Sequence, residues 1–329
     1  MEIHYFSRSK QAGYSIQAVF RTIINQVKKQ ASVRETYLPS PFASVTAIIR
    51  NGIYAMKRQQ RGEINHVTGD VHYLLYFLRR KKTIVTVHDI MYYHYLQGFK
   101  KFVWKLLYIY PLKRAACVTF ISEFAKQQVL DIIHLPEDHV KVIPNPVNPN
   151  FRFEERAFNV DNPRILHIGT LQRKNLQRTI LALRGIVCHL CIVGTLDETT
   201  SKLLRENNIC YSNLCDLDEM QIVQEYRKAD IINFPSLFEG FGMPIIEGQM
   251  TGRVVVTSAL SPMKDVAGEG ALLVDPYSVE SIHKAYLRVI GDEDFRNSLI
   301  RKGRENVSRF TADKVTEQYI QIYKRILQE

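Results

Sequence analysis

Short β-branched runs alternate with amphipathic helical stretches along both halves of the chain, and no other property restricts its fold as strongly. In the first half the runs are Ile64 to Thr68, Thr83 to Val87, Val118 to Ile121 and Val140 to Ile143. In the second they are Arg164 to Ile168, His189 to Val193, Asp230 to Phe234 and Val254 to Val256. This is the βαβ rhythm of parallel sheets covered by helices on both faces, so the expected fold class is α/β with doubly wound sheets. A chain of 329 residues exceeds the ~250–300 residues at which one core stops growing, so two domains are expected. The stretch Pro144-Asn145-Pro146-Val147-Asn148-Pro149-Asn150 can neither continue a strand nor sit inside a helix. It suggests a first domain over 1–152 and a second over 153–310. The remainder, 311–329, reads as a terminal helix, with Val315, Tyr319, Ile322, Tyr323 and Ile326 at helical spacing after the cap-like Thr311.

A hydrophobic content of 46% with 23% charged residues is ordinary for a folded globular chain. No apolar stretch reaches the ~18–20 residues that span a bilayer, and MEIHYFSRSK lacks the apolar centre of a signal peptide; a cytoplasmic location is expected. Of five cysteines only Cys188 and Cys191 have metal-like spacing, and alternation along a strand sends them to opposite faces, so core cysteines are expected. Asp216-Leu217-Asp218 precedes a helical stretch and reads as a helix cap; no metal site and no cofactor are expected. The formal charge of +11 implies attraction to anions such as nucleotide phosphates or acidic membranes. The motifs of nucleic-acid binders are missing, and no nucleic-acid partner is expected.

In open parallel α/β sheets ligands bind beyond the carboxyl ends of the strands. The residues ending the apolar runs are therefore candidates: His88-Asp89, Ser122-Glu123, Gly169-Thr170, Gly194, Pro235-Ser236 and Thr257-Ser258. The densest constellation is PSLFEGFGMPIIEGQMTG, Pro235 to Gly252. Gly240 and Gly242 let a backbone approach a ligand, and Pro244 suits the first turn of a helix whose free N–H groups attract phosphate. Glu239 and Glu247 flank this loop. A carboxylate accepts two hydrogen bonds from a vicinal diol, so the pair can hold sugar and ribose hydroxyls on either side of a phosphate bridge; equally, the two can serve as helix cap and dipole partner.

The string FPSLFEGFGMPIIEGQMTGRVVVTS resembles the E-x7-E signature of glycosyltransferase family four, the large retaining group with the GT-B fold. ILHIGTLQRKNL is similar to that family's phosphate loop and VAGEGALLVDPYSVESI to its C-terminal pattern, while TVHDI, FISEFAK and VIPNPVNPNF occur upstream in the family's order. The resemblance implies two Rossmann-like domains facing across a cleft, with the terminal helix returning to the first. It implies a metal-independent hexosyl transfer from a nucleotide-diphosphate sugar. Glu239 then contacts the donor sugar, Glu247 the ribose, Arg173 and Lys174 the diphosphate, and His88 the donor sugar from the first domain. The loop residues Gly169, Thr170, Gly194, Ser236, Gly240, Phe241, Gly242 and Met243 complete the expected donor site, with Gly13 from the first loop. Two departures stand out: Ala12-Gly13-Tyr14-Ser15 replaces the usual paired glycines, and Thr170 stands where many members carry arginine.

From Tyr92 to Arg114 aromatics (Phe99, Phe102, Trp104, Tyr108, Tyr110) interleave with cations (Lys100, Lys101, Lys105, Lys113, Arg114). Such a segment suits either an anionic membrane interface or a core helix with its lysines in water. The membrane alternative makes the protein peripheral on the inner face of the plasma membrane. It points to a saccharide or lipid-linked saccharide acceptor in bacterial surface polysaccharide synthesis. Competing functions on the same fold are a nucleotide-sugar hydrolase or epimerase, and a catalytically silent nucleotide-sugar-binding subunit.

Overall fold

A computed structural model describes residues 1–13 and 15–328; Tyr14, in the first loop singled out above, and Glu329 lie outside the described residues. The chain forms two compact units, one of Met1–Pro146 with Thr311–Glu329, the other of Val147–Phe310.

The first unit holds six parallel strands: β1 (Glu2–Ser7), β2 (Ser32–Tyr37), β3 (Ile64–Val67), β4 (Thr83–Val87), β5 (Cys117–Phe120) and β6 (Val140–Val142). Their order is β2-β1-β3-β4-β5-β6. Every residue of β3, β4 and β5 is buried, as continuous apolar runs in a doubly covered sheet require. The first two strands escaped the periodicity reading because β1 carries His4 and Ser7. Both are buried and paired, His4 Nε2 with Thr36 Oγ1 at 2.8 Å and Ser7 Oγ with Thr68 Oγ1 at 3.0 Å. The helix Ala312–Gln328 buries Val315, Tyr319, Ile322, Tyr323 and Ile326. Its Tyr323 hydroxyl meets Tyr5 Oη at 2.9 Å and His66 Nδ1 at 2.6 Å, and His66 Nε2 meets Thr86 Oγ1 at 2.8 Å. Burial holds His66 down to about 3, so this polar core is uncharged.

The second unit holds β7 (Arg164–Ile168), β8 (His189–Val193), β9 (Tyr211–Leu214), β10 (Ile231–Phe234), β11 (Val254–Ser258) and β12 (Leu272–Val274), all parallel, in the order β12-β11-β10-β7-β8-β9. Chain order runs outward in both directions from the neighbours β7 and β10. That makes their junction the topological switch point, where the loops leaving the two strands part and open a crevice. Asp218 caps the helix Glu219–Lys228 in a reciprocal capping box with Gln221. Cys188 and Cys191 are buried and free.

The unit boundary falls at Pro146, inside the proline-rich stretch, where 152 was expected. The reason is local: Val147 N–H donates to Phe310 O at 2.8 Å, and Phe151 packs edge-on to Tyr226 at 5.0 Å, tying 147–151 to the second unit.

The helix Met243–Met250 lies tight on this sheet through Gly248. A Cβ there would stand 2.8 Å from Ile232 Cγ1 and 2.9 Å from Val255 Cγ2. Gly248→Val is therefore expected to lower stability by about 1–3 kcal/mol through overpacking. A denaturant midpoint unchanged from wild type would refute that close fit. Among the described residues, no helix is long and apolar enough to cross a membrane.

Candidate donor site at the switch point of the second sheet

The loops leaving β7 and β10 build the site together. After β7, Gly169 takes φ 91°, a left-handed value suited to glycine, and a Cβ there would lie 3.1 Å from Lys174 Cγ. The chain then makes a single turn, Gln172–Lys174, and reaches Asn175 at φ 66°. Asn tolerates this conformation, and the buried Asn175 side chain ties the loops by donating to Pro235 O at 3.0 Å and Pro276 O at 2.7 Å. A second tie runs between the loops themselves: Leu237 N–H donates to Arg173 O at 2.8 Å, and Arg173 Nη1 to Phe238 O at 3.3 Å.

This scaffold converges three expected residues. Arg173 Nη1 lies 2.6 Å and Lys174 Nζ 2.7 Å from the same oxygen, Glu239 Oε1. The ammonium also sits 4.7 Å from the centre of the Phe234 ring. Burial lowers the Lys174 pKa, while the facing Glu239 works in the opposite direction. The loop after β10 ends at Gly242, φ 119°, where a side chain would meet Ile245, and the helix Met243–Met250 begins. Its free N–H groups and positive dipole end complete an anion-attracting corner.

Glu247 lies about one turn into that helix and accepts a hydrogen bond from the Tyr226 hydroxyl at 2.5 Å. Burial pushes its carboxyl up to about 7, against the opposing influences of Tyr226 and Lys174. Lys174 is thus electrostatically coupled to both acidic residues of the pair. On the neighbouring strand end, Gly194 at φ 130° faces Thr170, whose hydroxyl donates to Thr195 O at 2.7 Å. The Ser236 hydroxyl is buried without a protein hydrogen-bond partner, a condition that a bound polar group would relieve. Gly169, Thr170, Arg173, Lys174, Gly194, Ser236, Glu239, Gly240, Gly242, Met243 and Glu247 therefore belong to the ends of adjacent strands in one unit.

Phe241 differs from expectation. Its side chain is buried and packs edge-on to Phe310 at 5.7 Å, so the ring anchors the loop and only its backbone remains for a ligand. Gly13 and His88 belong to the first unit. Gly13 has φ 92° and a Cβ there would meet the Arg8 guanidinium at 3.2 Å. His88 is buried, and its Nε2–H donates to Thr68 O at 3.0 Å. Burial holds it down to about 4, so the ring is neutral near pH 7 and Nδ1 is left as an acceptor. Asp89 Oδ1 accepts from Met91 N–H at 3.0 Å and fixes the loop after β4. Asn175 and Tyr226 were not foreseen. An Asn directly before a helical stretch was the available signal for the first; no spacing marks the second.

Comparison with known proteins follows the same division. Residues 149–306 match the family model described as glycosyl transferases group 1, and residues 24–151 match glycosyltransferase family 4. An uncharacterized glycosyltransferase of Methanocaldococcus jannaschii is 26% identical over 233 residues, 63% of this chain and 59% of that relative, so the chain spans only part of its length. An O-antigen chain mannosyltransferase B of Escherichia coli is 23% identical over 279 residues, 75% of this chain and 71% of the relative. Among solved structures, a sucrose-phosphate synthase from Thermosynechococcus elongatus superposes with a TM-score of 0.82 at 18% identity, covering 99% of each chain. The Anabaena protein HepE, in complex with UDP and glucose, gives 0.80 at 15% identity, covering 99% of this chain and 100% of its own. With two six-stranded parallel sheets and both family models matched in order, the chain is a glycosyltransferase of the group 1 and family 4 type and has the GT-B fold.

Proposed function

We propose that the chain is a retaining, metal-independent glycosyltransferase that moves a hexosyl group from a nucleotide-diphosphate sugar to a saccharide or lipid-linked saccharide. The observation that carries this reading is the convergence of Arg173 and Lys174 on Glu239 at the switch point of the second sheet. Breaking the bond between sugar and diphosphate places growing negative charge on the leaving phosphate. Two cations held beside it stabilise that charge without reorganising, which is the largest single contribution such a site can make. Fixed basic side chains do here what a divalent ion does elsewhere. Glu239, already gripped by both cations, is the proposed partner of the donor sugar hydroxyls, and Glu247 that of the ribose.

In a retaining displacement on one face of the sugar, the leaving phosphate oxygen accepts the acceptor's proton as the new bond forms. The protein's part is positioning and charge stabilisation. His88, neutral and with Nδ1 open to donors, is proposed as a hydrogen-bond acceptor for a substrate hydroxyl and not as an acid. The similarity to an O-antigen mannosyltransferase supports a role in surface polysaccharide assembly, and that to HepE with UDP supports a nucleotide-linked donor. The five free cysteines suit a reducing compartment, which supports a cytoplasmic location.

A thermal-shift screen against UDP-, GDP-, ADP- and CDP-sugars tests donor binding, since a ligand at 100 times its dissociation constant stabilises by ~2.7 kcal/mol. NMR of the product made with an acceptor extract is expected to show the anomeric configuration of the donor. An inverted product would remove the retaining assignment. Free sugar or an epimer formed without acceptor would favour the hydrolase or epimerase reading, and binding without any turnover would favour a silent subunit.

A further inference from the structure

The helix Val45–Arg58 in the first unit is amphipathic the wrong way round for a helix that covers a sheet. Its buried positions are Ala47, Ile48, Asn51, Gly52 and Ala55, mostly small or polar. Asn51 is fully satisfied inside, accepting from Ser40 N–H and donating to Ser40 O and the Tyr73 hydroxyl, and Gly52 lets the helix close onto the Phe77 ring. The large apolar side chains point outward: Val45 is 71% exposed, Ile49 48%, Ile53 39% and Met56 45%. Their spacing of four, four and three residues makes one stripe. Phe42, just before the helix, is 73% exposed.

A second stripe stands beside the first. On the segment that begins with the helix Gly98–Trp104, Phe99, Phe102 and Leu106 are exposed at spacings of three and four. The other side of this segment is core: Trp104 stacks on Tyr108 at 5.0 Å. The core-helix reading of 92–114 thus describes one face of it, and the other face is apolar and exposed. A pocket of about 540 Å³ is lined by Ala43 from the start of the first stripe and by Leu96, Phe99 and Trp104 from the second, so the two are neighbours; Asp70 and Asp89 also stand on its wall, Asp70 paired with Arg8. The segments that carry the stripes contain cations and no acids of their own. No Asp or Glu occurs over 36–62 or 90–122, while Arg50, Lys57, Lys100 and Lys113 are exposed.

A water-facing surface with this much apolar area needs a cover. Its charge selects among covers: apolar stripes on segments that carry Lys and Arg but no Asp or Glu complement anionic headgroups above acyl chains, with Asp70 already paired to Arg8. We infer that Val45–Arg58 and the Phe99–Leu106 stripe together form a docking surface for an anionic phospholipid bilayer. This deepens the transferase reading by naming the surface on which its acceptor is met, and rests on it for that consequence alone.

Flotation of the full chain with phosphatidylglycerol-containing vesicles tests the inference. Partition is expected to exceed that to pure phosphatidylcholine at least tenfold, and to fall with added salt. The double variant Ile49→Asp/Ile53→Asp and the single variant Phe102→Asp are expected to lose partition by about tenfold or more, because a charge replaces inserted apolar area. Circular dichroism and nucleotide-sugar binding should match wild type, since these side chains are exposed and lie outside the donor unit. Absence of wild-type partition, equal partition of wild type and variants, or indifference to lipid charge overturns the inference. So does a wild-type dimer that light scattering finds dispersed in the variants, which would assign the surface to a second copy. Failure of donor binding with vesicle partition intact would instead sink the transferase reading alone.

Discussion

Replacing Lys174 by alanine is expected to lower the turnover number about 10²- to 10³-fold, the cost of removing one preorganised charge-stabilising group. The fold should survive it. Glu239 keeps its 2.6 Å partner in Arg173, so no buried carboxylate is orphaned. Lys174→Arg keeps the charge but places a planar fork in a space sized for an ammonium above Phe234, and should recover only part of the rate. Glu239→Ala carries a different signature. It strips the partner from Lys174, whose side chain is only 14% exposed, so loss of turnover should come with a lower melting temperature. Steady-state kinetics with circular dichroism checks both. Turnover of Lys174→Ala within threefold of wild type, with intact folding, would disprove the role given to this lysine.

The parts of this site visible in the sequence are those with local causes. Apolar runs that end in glycine placed the carboxyl edges of β7 and β8 correctly, because a strand buried on both faces leaves an unbroken β-branched signature. The glycine-rich turn before Pro244 announced a helix start, and Gly242 at φ 119° shows why glycine stands there. Asp218 was legible as a cap because capping boxes depend on residues three apart. Strands β3, β4, β6, β7, β8, β10 and β11 appeared within a residue or two of their expected bounds for the same reason.

What depends on distant partners was not legible. Strand β1 hides behind His4, which is tolerable because Thr36 and Arg34, some thirty residues away, satisfy its two ring nitrogens. Tyr226 touches Glu247 across the sheet face from another helix, and no spacing rule links them. Phe241 is expected as a ligand contact only from its place between two glycines; its ring packs on Phe310, the last residue of the same unit. The exposed stripe of Val45–Arg58 has ordinary helical periodicity, and periodicity cannot say which face turns inward. Only the packing of Gly52 on Phe77 decides that.

Donor affinity is expected to rise about tenfold between pH 6 and pH 8, and Glu247 is the reason. Burial pushes its carboxyl from 4.5 up to about 7. A carboxylate accepts two charge-assisted hydrogen bonds from a ribose diol, whereas the neutral acid accepts them weakly. Binding therefore favours the ionised form, and each pH unit below 7 weakens it by up to tenfold. The stability of the unliganded protein should move the other way. Between 4.5 and 7 the folded carboxyl retains a proton that the unfolded one has lost, so the native state binds more protons and stability falls as pH rises through that window. Glu247→Gln, neutral at every pH and still able to accept from Tyr226, should abolish both dependences while binding donor weakly throughout. Glu247→Ala should bind more weakly still, by about 100-fold relative to wild type at pH 8, because the buried Tyr226 hydroxyl also loses its acceptor. Calorimetric titration with an intact nucleotide sugar, whose phosphates carry no ionisation in this range, at pH 6, 7 and 8 separates these cases. A wild-type affinity flat across the three would mean that Glu247 meets the donor uncharged or not at all.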